Sequence, residues 1–251
     1  MEGSTFTGME EIVEGFNNYF TDVGEKLQKT IKETNLTIFD FMGVKRDYKF
    51  EFKLITQEQL LKIIRNLKPK TSVGQDYLNN KIIKACFPGI ISVILHLVNL
   101  SLESGIFPPP LKTSRILPIH KDGPKTDFGN FRPISLISSF GKLVEKIVAK
   151  QITKYLEDNG LIFKHQYGFR GKHDCQQPLL YFTEKIRPTL DSKNKLFGIA
   201  TFIDMRKAFD TIPFTQLIQK LEFYGVSGNT LKWFEDYLFN REQCVEIEGH
   251  R

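Results

Sequence analysis

The chain has 251 residues, 41% of them hydrophobic and 25% charged, which is enough apolar material to bury a core and excludes disorder throughout. Three cysteines, Cys86, Cys175 and Cys244, make no Cys-x-x-Cys pair, and the five histidines stand at no metal-ligand spacing from them, which argues against a zinc site and a disulfide framework. The net charge of +6 is concentrated in one place: Lys112 to Lys172 holds 12 Lys and Arg against 5 Asp and Glu, so this segment is either a solvated face or a polyanion-binding surface.

Ile12, Phe16, Phe20, Val23 and Leu27 recur at helical spacing and predict an amphipathic helix within the first thirty residues. No basic-then-apolar leader precedes it, so an intracellular protein, nuclear or cytoplasmic, is expected. Lys49 to Ile55 alternates, with Phe50, Phe52 and Leu54 on one side, as in a short strand or extended arm. Thr56 and Gln59 have the spacing of a capping box that opens a helix through Leu60, Leu61, Ile64 and Leu67, stopped by Pro69 and Gly74. Ile90 to Leu102 is the longest apolar stretch, but His96 and Asn99 interrupt it. It falls short of the roughly 18 consecutive apolar residues of a membrane span and predicts a buried helix, closed by Gly105 and Pro108 to Pro110. No membrane association is expected.

Beyond that point the period changes. Ser114 to His120 predicts a strand, Asp122-Gly123-Pro124 a turn, and Arg132 to Leu136 a second strand, together a strand-loop-strand unit. Phe140 to Leu156 predicts a helix with Leu143, Val144, Ile147, Val148, Ile152 and Tyr155 on one face and Lys142, Lys146, Lys150 and Lys154 on another. A helix around Leu179 to Ile186 leads into Leu196 to Asp204, whose continuous apolar run predicts a buried strand ending in a carboxylate. Helices around Leu217 to Phe223 and Leu231 to Leu238 follow.

The chemistry sits in Phe202-Ile203-Asp204-Met205-Arg206-Lys207-Ala208-Phe209-Asp210. A carboxylate at a strand end can hold a hard cation, although an Asp there more often forms a turn or a cap. Asp210 is a candidate cap for the helix beginning near Pro213. The wider string Asp-Met-Arg-Lys-Ala-Phe-Asp resembles the first palm motif of reverse transcriptases of non-LTR (LINE, jockey-like) retrotransposons. Arg115 to Gly123 and Asn130 to Ile137 resemble that family's two fingers motifs, Gln166-Tyr167-Gly168-Phe169-Arg170 the next, and Trp233-Phe234 to Asn240-Arg241 the segment after the palm. Several motifs in family order over about half the chain coincide by chance far less often than one alone. Lys68, Lys70, Gly74 and Asp76 resemble a further motif ahead of the fingers.

The resemblance implies an RNA-directed DNA polymerase that adds dNTPs to a DNA primer on an RNA template, with two Mg²⁺ ions. Asp204 would be the catalytic, metal-binding aspartate and Met205 would lend a backbone carbonyl. Lys121 and Arg132 would grip the incoming triphosphate, where their alternative is that of ordinary exposed cations on a hairpin. Ala208 and Phe209 would line the nucleotide site, Phe209 as a steric gate against a 2′-hydroxyl, its alternative being a core phenylalanine. Lys142, Lys146, Lys150 and Lys154, with Gln166, Phe169 and Arg170, would lie along template and primer; a solvated stripe and a docked loop are the alternatives.

The implied fold is α+β, a right-hand polymerase fragment of fingers and partial palm. We divide the chain into an N-terminal helical extension and linker (1–55), a helical pre-fingers region (56–110), and fingers with the start of the palm (111–251). The later aromatic-Ala-Asp-Asp motif is absent, there being no Asp-Asp pair, and so is the Pro-Gln-Gly segment. The 251 residues are therefore expected to be a fragment that does not polymerise alone; the alternative function is that of a catalytically dead nucleic-acid-binding remnant.

Overall fold

The computed structural model describes residues 8–31, 34–45, 47–192, 197–205 and 207–251. Two compact units emerge, one made of Met1–Ile152 and Lys207–Arg251, the other of Thr153–Arg206. The chain contains both helices and strands, as the α+β class requires, and among the described residues all of its strands lie in the first unit.

The first unit is mostly helical. Helix α1 (Met9–Gln28) buries Val13 and Phe16. The Thr56 capping box forms both of its bonds and opens α2 (Gln57–Arg65), which buries Leu60, Ile63 and Ile64. Helix α3 (Asn80–Ser104) starts ten residues before the apolar run that announced it, because Asn79 caps it through the amides of Lys81 and Ile82, and Pro88 is carried inside. Gly105 at φ 72 ends it in the left-handed conformation that glycine tolerates best.

Only one face of α3 is buried, through Ile83, Phe87, Ile94, Val98 and Leu102; Ile82, Ile90, Val93, Leu97 and Leu100 are exposed. The expected buried helix is thus buried along one face only. Among the described residues α3 is the helix long and apolar enough, by length and composition alone, to cross a membrane, and its inner face packs in the main core beside α2.

That core joins α2 and α3 to Leu143, Val144, Ile147 and Val148 of α4 (Ser139–Asp158) and to Trp233 of α7 (Gly228–Leu238). Helix α6 (Phe214–Phe223) packs on α7. The arm over residues 49–55 is extended but pairs little: Phe50 N–H donates to the Gly225 carbonyl, Phe52 N–H to Thr230 Oγ1, and Ile55 exchanges two bonds with the Asn99 side chain. Phe50 and Ile55 are buried while Leu54 is exposed, so the face read from alternation breaks at its last residue.

Among the described residues the sheet has three strands, in the order β2-β1-β3. Strands β1 (Thr113–His120) and β2 (Phe131–Leu136) form the predicted antiparallel pair, and β3 (Glu242–Val245) adds in parallel to β1. Strand β3, four half-polar residues, is too short to show a period in the sequence. On one side of this sheet Ile116 and Val245 meet Val13 and Phe16 of α1, and Phe16 sets its ring edge-on to Phe128 and Phe131 at 4.6 and 4.8 Å.

In the second unit, the end of α4 leads through a loop into α5 (Gln176–Leu190), which runs past Pro188. The expected buried strand over Leu196 to Asp204 does not form: Leu196 lies outside the described residues, and residues 197–205 are irregular and exposed, Phe197 at 94%. An apolar run becomes a buried strand only where neighbouring strands supply ladder partners and a second layer, and among the described residues none pairs with it.

Candidate functional site

Register decides what the hairpin presents. Ile119 pairs with Arg132 and His120 with Phe131, and the Lys121 amide continues the ladder by donating to the Asn130 carbonyl at 2.8 Å. Side chains alternate along a strand, so Lys121, Ile119 and Arg132 share one face while His120 and Phe131 share the other. The second face is occupied by α1 through Phe16. The first is exposed at Lys121, Ile119 and Arg132. Lys121 makes a loose contact with Asp122, 3.7 Å in an exposed pair, worth little in water. Two predicted triphosphate ligands therefore stand together on an open face.

Helix α4 carries its lysines in a stripe that flanks its core face. Lys146, Lys150 and Lys154 are exposed, Lys154 paired with Asp158 at 2.6 Å. Lys142 is half-buried, and burial, followed by the nearby Lys70 ammonium, pulls its pKa below the ordinary lysine range. Glu145 turns away from the stripe and accepts the Tyr237 hydroxyl at 2.8 Å; burial raises its pKa above the usual carboxylate range.

The segment carrying Lys68, Lys70, Gly74 and Asp76 is seated against the start of α4. Asp76 Oδ2 accepts Ser138 Oγ at 2.5 Å, and Ser139 Oγ donates to the Leu78 carbonyl. A Cβ at Gly74 would stand 2.5 Å from the Ser138 nitrogen, so only glycine permits this approach. The link between this segment and α4 was invisible in the sequence, since neither serine belongs to a motif.

In the loop of the second unit Arg170 is engaged by the chain itself. Its guanidinium, expected on nucleic acid, forks onto Glu157 of α4 at 2.9 and 2.6 Å and donates to the carbonyls of Phe163 and Gln166. It is an internal brace, and a bidentate fork suits that role. Gln166 remains exposed, and Phe169, at φ 61, is 92% exposed.

The Arg170 bonds hold Glu157 below the ordinary glutamate range. A carboxyl whose native pKa is lowered stabilises fully above its unfolded value of about 4.3 and loses that contribution as pH falls through the native value. We expect the 163–173 loop to become sensitive to pepsin as pH drops through that window, and Arg170→Leu to be nicked across it. Equal nicking of Arg170→Leu and the unaltered chain would rule out the brace.

Asp204 and Met205 lie exposed in the second unit; Ala208 and Phe209 belong to a turn of the first. Phe209 is 74% exposed. Asp210 does not cap α6, whose N-cap is Pro213 without a side-chain bond. Among the described residues no three His, Cys, Asp or Glu side chains gather around one point. A Mg²⁺ pair needs several shared oxygen ligands, so Asp204 and the Met205 carbonyl do not by themselves make that site.

Comparison with known proteins finds a match of residues 119–251 to the family model described as reverse transcriptase (RNA-dependent DNA polymerase). A probable RNA-directed DNA polymerase from transposon BS of Drosophila melanogaster is 30% identical over 247 residues, which cover 96% of this chain and 26% of that protein. The RNA-directed DNA polymerase from mobile element jockey of the same organism is 29% identical over 66% of this chain and 18% of its own length. A probable polymerase from transposon X-element, also of Drosophila melanogaster, is 34% identical over 55% of this chain and 15% of its own. The chain thus spans about a quarter or less of these relatives.

Proposed function

This chain belongs to the reverse transcriptase (RNA-dependent DNA polymerase) family, among the enzymes of non-LTR retrotransposons, and we propose that it supplies the fingers and the opening of the palm of an RNA-directed DNA polymerase. The observation that carries the reading is the hairpin register, which sets Lys121 and Arg132 on one exposed face. A point charge beside a planar fork is a suitable grip for a triphosphate. Lys146 and Lys150 on α4 offer a basic track for template and primer phosphates; in the second unit, exposed Phe169 offers an aromatic ring of the kind that stacks on single-stranded bases. The Mg²⁺ ions of such an enzyme require ligands beyond Asp204 and Met205, so the grip and the track are the parts these residues provide.

Equilibrium binding tests this with two probes, a fluorescent dNTP and an RNA–DNA template–primer. Arg132→Ala and Lys121→Ala should each weaken the dNTP by about tenfold or more while leaving the template–primer nearly unchanged. Replacing Lys146 and Lys150 by Gln should do the reverse and flatten the salt dependence of template–primer binding, because each phosphate contact releases a counterion. If all four variants bound both probes like the unaltered chain, the reading would fail.

A further inference from the structure

The N-terminal helix touches both parts of the proposed nucleotide grip. Tyr19, on α1, accepts a hydrogen bond from Lys207 Nζ at 3.0 Å, and the same ammonium lies 4.6 Å from the centre of the Tyr19 ring. Lys207 belongs to the turn that carries Ala208 and Phe209, and it holds φ 50, a conformation uncommon for non-glycine residues. About one and a half turns further along α1, a Cβ at Gly24 would collide with the Asp210 carbonyl oxygen. Two separate contacts therefore press this helix onto the 207–211 turn.

The same helix grips the tip of the hairpin. A Cβ at Gly15 would stand 2.6 Å from the Phe128 ring, and one at Gly129 would stand 3.2 Å from the Tyr19 hydroxyl. Phe128 to Asn130 is the short helical turn leading directly into β2, and Asn130 closes the ladder beside Lys121. The glycines at 15 and 24 are nine residues apart on one helix, two and a half turns. One notch receives the hairpin and the other receives the turn, with Tyr19 between them.

We infer that α1 is a strut fixing the spacing between the triphosphate-gripping hairpin tip and the turn bearing Ala208 and Phe209, with Tyr19 as a positioning residue for nucleotide binding. The inference rests on the reading of Lys121, Arg132 and Phe209 given above. It assigns α1 a role in the site, whereas composition and periodicity marked it only as an amphipathic helix. Tyr19 suits the task because its ring attracts the ammonium and its hydroxyl directs it.

Two measurements on the full chain separate the strut from the reading beneath it. Hydrogen exchange reports the turn directly: Tyr19→Leu and Lys207→Met should each deprotect the 207–211 amides at least tenfold, and the double variant should add little to either. Tyr19→Phe, which keeps the ring, should restore most of the protection. Gly24→Val attacks the same turn through the Asp210 contact and should give the same exchange pattern, so the inference does not depend on one variant folding. The second readout is dNTP affinity, expected to fall about tenfold in Tyr19→Leu and Lys207→Met with template–primer affinity unchanged, a split that general loss of stability would not produce.

Unchanged exchange at 207–211 in both Tyr19→Leu and Gly24→Val would overturn the strut. Deprotection with undiminished dNTP affinity would overturn the positioning role. If the unaltered chain bound no dNTP, the functional reading would fall with the positioning role, and exchange alone would decide the strut.

Discussion

Trp233→Ala should lower the stability of the first unit by about 3–5 kcal/mol, the range for removing a large aromatic side chain from a packed core. Trp233 is 1% exposed. Its ring stacks on Tyr237 at 5.2 Å and meets Phe52 and Phe107 edge-on, each at 5.5 Å. These partners come from α7, the extended arm and the turn after α3, so the deletion loosens three segments at once. The indole nitrogen adds a bond to Ser101 Oγ at 3.0 Å, and that hydroxyl in turn donates to the Ile106 carbonyl. Trp233→Phe leaves most of the packing but withdraws the donor, and should cost distinctly less. Urea unfolding checks both. Comparable midpoints for Trp233→Ala and the unaltered chain would mean that the hub is not where the structure puts it.

Much of this arrangement was legible in the sequence, and the failures share a cause. The Thr56 box, the hairpin, the α4 core face and the lysine stripe are local patterns, each fixed by residues a few positions apart. Partnerships between distant segments left no such trace. Tyr19 with Lys207 and Asp76 with Ser138 join residues 188 and 62 positions apart, and nothing in either neighbourhood names its partner. Arg170 shows the same limit: its motif placed it at a functional loop, but Glu157 as its fork partner emerged only in three dimensions. The apolar run ending at Asp204 failed for the opposite reason. Its composition specifies what it prefers to be packed in, and the described residues provide no strand beside it.

The second large effect is expected at Asp236, which secures the root of the hairpin. Its Oδ1 accepts Lys112 Nζ at 2.7 Å and its Oδ2 accepts the Phe107 amide at 2.8 Å. The Lys112 side chain is 10% exposed and that of Asp236 33%, so the ammonium depends on this carboxylate while the carboxylate still reaches water. Asp236→Leu would leave a buried cation and a buried amide without their acceptor. Breaking a buried pair from one side costs about 3–5 kcal/mol, and partial exposure of Asp236 brings the expected loss to about 2–3 kcal/mol. Asp236→Asn retains an acceptor for Phe107 and should lose less. Adding Lys112→Met to Asp236→Leu should recover part of the loss, because the stranded charge is then gone. Lys112 immediately precedes β1, and Asp236 lies on α7 within the Trp233 to Arg241 motif. That motif thereby anchors the base of the strand that leads to Lys121, and Asp236→Leu should weaken dNTP binding in proportion to its release of β1. Full dNTP affinity in an Asp236→Leu chain that exchanges its β1 amides freely would show that the grip does not need a fixed root.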